Sequence, residues 1–384
     1  MESSPPKTLQ LLHLTASLQR GGTEQMLART LPKLTEFSHT VVCLGPKGEV
    51  GAQLERAGIA VFYLSGRYPL LNVSAIRSFR NIARTIRPDL LITYLPLADL
   101  FGKLYGTLFG IKIIICSLRS TLRDLRYIPL IWLERITDRF ATHYLAVSHA
   151  VKERFVSFGI SAQKITVIPN GISISHIPQK EQEDISQSIR HELHISPHVF
   201  IIGVVGNLRK ERGQSYVIQS FKDVLPKLHH PCQLLLIGDG PERSKLERLV
   251  DLYNLREYVQ FLGFRNDVEA LLQACDIVIS SSLYEGMSNA LLEAMAASRA
   301  IIAMNVPENR ELITDKSSGL LVNPKSVSQL CEAILLLAAD PALRKKFGQA
   351  AYMQIQQYSI ENTITLIPEF LERFSSQSSL CHKM

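Results

Sequence analysis

No apolar run in this sequence approaches about 18 residues, so a spanning helix is excluded. The first residues, MESSPPKTLQLLHL, show no basic stretch followed by a long apolar core, so no signal peptide is expected. The six cysteines (Cys43, Cys116, Cys232, Cys275, Cys331 and Cys381) form no Cys-x-x-Cys pair. Most sit in apolar runs, which fits buried free thiols in a reducing compartment. No nucleophile elbow and no Ser/His/Asp order is present. Nor is there a recognised nucleic-acid reader motif. A cytoplasmic location is expected.

What remains is ordinary in bulk and uneven in charge. Apolar content of 46% and charged content of 20% fit a globular protein, and 384 residues suffice for two domains. Residues 1–180 hold 22 Lys+Arg against 11 Asp+Glu, and residues 181–384 hold 20 against 24. A basic first half suits an anionic partner, such as phosphate groups or a membrane surface; a solvated face with a chance bias is the bland alternative.

Short apolar runs alternate with amphipathic stretches. Runs at 9–14, 39–44, 60–64, 89–95, 111–117, 143–148 and 164–169 read as buried strands, with helical patterns between them. Residues 173–198 are polar and read as a linker with a short helix. The alternation then restarts at 200–206, 232–238, 259–263, 276–281, 300–304 and 319–322. Repeated βα order implies parallel sheets covered on both faces. The expected division is 1–172, a linker at 173–198, 199–350, and a helical tail at 351–384. A cleft between two such domains would favour a ligand.

Residues 276–295, DIVISSSLYEGMSNALLEAM, carry the strongest signal. An apolar strand ends in three serines. A loop with Glu285, Gly286, Met287, Ser288, Asn289 and Ala290 follows, and a helical segment carries Glu293. The spacing of the glutamates alone is weak, since Glu361 and Glu369 share it beside Pro368. The strand–loop–helix context gives it weight, because helix-start N–H groups can face an anion at a strand's carboxyl end.

This block resembles the Glu-x7-Glu signature of family-four glycosyltransferases, retaining enzymes of the GT-B architecture. That resemblance implies an α/β fold with two Rossmann-like domains facing a central cleft, and a C-terminal helix that crosses back to the first domain. It implies that Glu293 accepts the ribose hydroxyls of a nucleotide sugar, that the Gly286–Ala290 N–H groups hold its β-phosphate, and that Glu285 faces the sugar. Gly206-Asn207-Leu208-Arg209-Lys210-Glu211-Arg212-Gly213 follows the first strand of the second half as a cationic loop. Relatives usually place Arg and Lys where this chain has Asn207 and Arg212. Arg212 keeps a charge suited to diphosphate, whereas Asn207 drops one that Arg209 or Lys210 would have to supply. Gly238-Asp239-Gly240-Pro241 resembles the family's Gly-x-Gly-Pro loop, with Gly263 and Phe264 expected near the base. A turn needing positive φ explains each glycine equally well.

In the first half, Gly21-Gly22-Thr23-Glu24 resembles the family's Gly-Gly-Ala-Glu loop near donor phosphate and acceptor. The segments AVSHAVKERF and VIPNGI are similar to two further family motifs. Many relatives carry a histidine where this chain reads CSLRSTLRD, and Arg119 is the candidate phosphate contact there. There is no Asp-x-Asp, so no metal site is expected and cations would meet the phosphate charge. Arg67, Arg77, Arg80, Arg84 and Arg87, then Arg119, Arg123, Arg126, Arg135 and Arg139, interleave with apolar residues as on an anionic membrane surface, or as on a basic outer face.

The expectation is a metal-independent, retaining hexosyl- or N-acetylhexosaminyl-transferase for cell-surface polysaccharide. Its donor would be a UDP or GDP sugar, with no cofactor. Its acceptor would be a glycan or polyprenyl-linked glycan at the inner membrane face. Glu285, Arg212 and Arg119 are the catalytic candidates. A sugar-nucleotide epimerase of the same fold and a non-catalytic sugar-nucleotide binder are the alternatives.

Overall fold

The computed structural model describes residues 8–64, 69–122, 128–175 and 177–381. Arg67, Tyr68, Arg123, Arg126 and Tyr127 of the basic stretches lie outside the described residues. The chain divides into two units, residues 1–171 with 360–384, and residues 172–359.

The first unit is built on a seven-stranded parallel sheet in the order β3-β2-β1-β4-β5-β6-β7. Its strands are β1 (Gln10–Thr15), β2 (Ser38–Cys43), β3 (Ala60–Tyr63), β4 (Leu90–Tyr94), β5 (Ile114–Leu118), β6 (His143–Ala146) and β7 (Ile165–Val167). Every residue of β4 and β5 is buried, as central strands covered on both faces require. The apolar run at 111–117 begins its strand only at Ile114. The reason is local: the Ile111 N–H donates to the Gly106 carbonyl at 2.9 Å, so that residue still closes the preceding helix.

The helix Ile360–Cys381 belongs to this unit and places Phe370, Leu371 and Phe374 in the same core as Leu11, Ile92 and Ile168. The chain thus returns to its first unit, as the resemblance implied. Gly171 permits that return. A side chain there would collide with Ile360 and Thr363, whose hydroxyl donates to the Pro169 carbonyl at 3.3 Å.

The second unit holds a six-stranded parallel sheet in the order β10-β9-β8-β11-β12-β13. Its strands are β8 (Phe200–Val205), β9 (Cys232–Ile237), β10 (Val259–Gly263), β11 (Ile277–Ser280), β12 (Ala300–Met304) and β13 (Leu320–Val322). Strand order reverses between β8 and β11, as it does between β1 and β4 in the other sheet.

The stretch 173–198 differs from a free linker. Its helix Gln179–Glu192 is part of the second unit, with Ile189 buried and Arg190 donating to the carbonyls of Val199 at 2.7 Å and Ala274 at 3.1 Å. Polar composition hid this because the helix docks largely through polar side chains and leaves much of its surface wet. The tail also divides later than residue 350: the helix Pro341–Ile355 stays with the second unit and the break falls at Ser359/Ile360. Among the described residues, no helix is long and apolar enough to cross a membrane.

Candidate functional site

The crevice beside a reversal of strand order is where open α/β sheets receive ligands. In the second unit the two loops flanking that reversal are Gly206–Gly213 after β8 and Ser281–Ser288 after β11. They are tied together. The Ser281 hydroxyl donates to the Arg212 carbonyl at 2.6 Å, the Leu283 N–H donates to the Glu211 carbonyl at 2.9 Å, and Arg212 Nη1 donates to Ser282 Oγ at 3.3 Å. Gly213 sits at φ 67, and a side chain there would meet the Ser281 carbonyl. Glycine is therefore required on two counts, backbone conformation and close approach.

Across this junction Arg212 forms an ion pair with Glu285. Glu285 is buried at 7% exposure, and the Arg212 side chain remains 31% exposed. The Glu285 carboxylate holds the Arg212 guanidinium above its usual pKa. Arg209 and Lys210 are both exposed beside it. The Asn207 carbonyl accepts from Gln214 Nε2 at 3.1 Å, which fixes the start of the loop.

After β11 the chain turns into the helix Asn289–Ala296, whose cap is Ser288; its hydroxyl accepts from the Leu291 N–H at 3.3 Å. Gly286, Met287 and Ser288 are buried, while Asn289, Ala290 and Glu293 are half-buried. The helix N-terminus thus opens at the same crevice as the cationic loop.

The Gly238–Gly240 loop packs backbone to backbone on the first loop. Leu208 N–H donates to the Asp239 carbonyl at 3.0 Å, and Glu242 N–H donates to the Leu208 carbonyl at 3.0 Å. A side chain on Gly238 would strike Gly206, and one on Gly240 would strike Leu208. The Gly-x-Gly pattern is a loop-packing requirement, with Gly238 at φ 139. Gly263, at φ 64, accepts the Gly238 N–H at 2.8 Å and leads to Phe264, which is 44% exposed.

In the first unit, Gly21 caps the helix Gly22–Thr30 in an extended conformation, and the Glu24 carboxylate folds back onto it. Arg119 follows β5 and donates from Nη2 to Asn170 Oδ1 at 2.5 Å. Burial lowers its pKa to about 10, against the opposing influence of Tyr94 and Glu24. So Arg119, the Gly21–Gly22 turn and Asn170 form one neighbourhood. Asn170 was not singled out from sequence; its signal was the PNG motif, which names no partner.

Leu118, beside Arg119 in the CSLRSTLRD stretch, is buried. His143 lies elsewhere, donating or accepting with Thr166 Oγ1 at 2.9 Å and packed on Phe370 and Phe374.

A family model described as "Glycosyltransferase Family 4" matches residues 20–176, and one described as "Glycosyl transferases group 1" matches residues 185–354. The chain is 22% identical over 346 residues to an Escherichia coli UDP-Gal:alpha-D-GlcNAc-diphosphoundecaprenol alpha-1,3-galactosyltransferase, covering 87% of this chain and 88% of that one. It is 29% identical over 196 residues to a Campylobacter jejuni N-acetylgalactosamine-N,N'-diacetylbacillosaminyl-diphospho-undecaprenol 4-alpha-N-acetylgalactosaminyltransferase, covering 51% of this chain and half (50%) of that one. Its fold is that of Anabaena HepE, solved in complex with UDP-glucose: TM-score 0.84, 22% identity, 95% of this chain and 100% of that one. TarM matches with TM-score 0.76 and 13% identity, over 97% of this chain and 100% of that one. The chain belongs to the family 4, group 1 glycosyltransferases of the GT-B architecture.

Proposed function

We propose that this glycosyltransferase moves a hexosyl or N-acetylhexosaminyl unit from a UDP sugar to a lipid-linked glycan, with retention at the anomeric carbon. The observation that carries the reading is the Arg212–Glu285 ion pair, which joins the two loops flanking the strand-order reversal. UDP as carrier is supported by HepE, which binds UDP and UDP-glucose. A polyprenyl-linked acceptor is supported by the names of the two bacterial relatives.

In this reading Glu293 accepts the ribose hydroxyls, and Gly240, Gly263 and Phe264 shape the base end. Arg212, with Arg209 and Lys210 making up for Asn207, holds the diphosphate together with N–H groups from Gly286 to Ala290, so no metal is needed. Glu285 orients Arg212 and faces the sugar. Arg119 and the Gly21–Gly22 turn serve the phosphate and acceptor side. As the C1–O bond to phosphate breaks, the leaving phosphate oxygen takes the acceptor hydroxyl's proton and the new glycosidic bond forms on the same face.

Membrane contact is supported by apolar side chains left outside on the first unit. Leu108 is 70% exposed, Trp132 53% and Ile136 66%, with Arg135 and Arg139 exposed nearby in sequence. Helices of this kind rest on anionic lipid through both contributions.

The test is transfer of labelled sugar from UDP sugars to polyprenyl-diphosphate glycans, with product analysed for anomeric configuration. The reading expects one α-linked product from an α-linked donor. Hydrolysis or epimerisation without acceptor, or UDP binding with no transfer across the acceptor panel, would overturn it.

A further inference from the structure

Arg119 stands half-buried just past the carboxyl end of β5. Glu24 is near enough to act on its charge, but no carboxylate pairs with it among the described residues. It borders a cavity of about 40 Å3 whose walls include Leu11, Ile92, Ile115 and Leu145. Walls of that kind offer a guanidinium no acceptor. Tyr94 also lines the cavity, and its hydroxyl is engaged with His13 Nδ1 at 3.0 Å. The orientation of Arg119 therefore falls to one bond, from its Nη2 to Asn170 Oδ1 at 2.5 Å.

Asn170 is 5% exposed, and the chain is fixed on both sides of it. The Ile168 N–H donates to the Ala146 carbonyl, at the end of β6, at 2.9 Å. The Thr363 hydroxyl donates to the Pro169 carbonyl, and a side chain at Gly171 would strike Ile360 and Thr363. So β6 and the helix Ile360–Cys381 together set where the amide of Asn170 points. The return of the C-terminal helix to the first unit thus reaches Arg119 in two steps.

An amide in this place differs from a carboxylate. A neutral acceptor occupies one of the five N–H donors of a guanidinium and leaves its charge intact. A carboxylate would hold the group more firmly and cancel the charge that a phosphate needs.

We propose that Asn170 is a positioning residue for sugar transfer. It aims the Arg119 guanidinium away from the apolar cavity and toward a phosphate oxygen of the substrate, without neutralising it. The inference rests on the reading of Arg119 as a phosphate contact, and supplies what orients that contact.

Steady-state transfer from a UDP sugar to a polyprenyl-diphosphate glycan, measured for the full chain and its variants, tests this as a double-mutant cycle. Arg119→Ala should lower kcat/KM about a hundredfold or more, and Asn170→Ala about tenfold or more. Asn170→Ala added to Arg119→Ala should cost nothing further, which a purely structural role of Asn170 would not produce. Asn170→Asp keeps the size and the acceptor oxygen, and should also lower kcat/KM about tenfold or more with the fold retained in circular dichroism. That variant carries the test if the alanine variant does not fold. Wild-type rates in Asn170→Asp, or losses from Arg119→Ala and Asn170→Ala that simply multiply, would overturn the proposal alone. Wild-type rates in Arg119→Ala would remove Arg119 from the site and the proposal with it, and no transfer by the wild type would remove the function reading on which both stand.

Discussion

At the scale of single side chains, the proposed chemistry rests on Arg212 and Glu285, which the structure pairs. Removing Glu285 leaves a half-buried guanidinium without its carboxylate, in a loop still held by Ser281 and Ser282. Glu285→Ala and Arg212→Ala should each lower kcat by about two orders of magnitude or more, with UDP still bound by Glu285→Ala. Gly213→Ala adds a side chain at φ 67 against the Ser281 carbonyl, and should cost about 2 kcal/mol or more in chemical denaturation. The histidines give a pH signature. His39 Nε2 lies 2.9 Å from the Leu34 carbonyl, which only accepts, so Nε2 carries the proton. His39 Nδ1 then accepts from His13 Nε2 at 3.0 Å, and His13 Nδ1 accepts from the Tyr94 hydroxyl at 3.0 Å. This arrangement is satisfied with both rings neutral. Burial lowers the His13 pKa well below its ordinary 6.5, so the folded ring stays neutral while the unfolded one takes a proton. Stability is therefore lost as pH falls through about 6.5. Denaturation of wild type and His13→Gln at pH 7.5 and 5.5 measures this; equal slopes would contradict a buried neutral His13.

Among the elements, the helix from Pro96 through the π-turn Gly102–Gly106 shows what pattern reading reaches and what it misses. The thirteen strands among the described residues were legible as apolar runs, the central ones because parallel strands there are buried on both faces. The donor loops were legible because glycine turns and charges follow β8, β9 and β11 directly in sequence. Lys103 was not legible. It is fully buried against Glu134, with the Tyr144 hydroxyl at 3.3 Å and Thr137 Oγ1 at 3.4 Å, partners brought together only by the sheet and the helix Ile128–Ile136. Gly102 and Gly106 let this helix press on Thr93, Leu91 and Ile114. Lys103→Met should destabilise by about 3–5 kcal/mol because it strands a buried carboxylate, and adding Glu134→Leu should recover most of that loss. The stretch 173–198 reads as a linker with a short helix for the converse reason: the helix Gln179–Glu192 docks through the single buried Ile189 and through polar bonds such as Arg190 to the Val199 and Ala274 carbonyls, which hydropathy does not register.

At the scale of the whole molecule, the surplus of basic charge in residues 1–180 and the exposed Trp132 and Ile136 belong to the first unit. Sedimentation with phosphatidylglycerol vesicles should fall in Trp132→Asp/Ile136→Asp and with rising salt; binding unchanged in both would remove the membrane reading. The loops proposed to hold the donor belong to the second unit. The account's central claim is that the Arg212–Glu285 junction drives sugar transfer from a nucleotide donor. The most direct measurement is single-turnover transfer of radiolabelled sugar from UDP-galactose, UDP-glucose and their N-acetyl counterparts to polyprenyl-diphosphate glycans, comparing wild type with Glu285→Ala. The account predicts transfer from at least one UDP sugar in wild type and a loss of about a hundredfold or more in the variant at saturating donor. Equal transfer by the two proteins would contradict it.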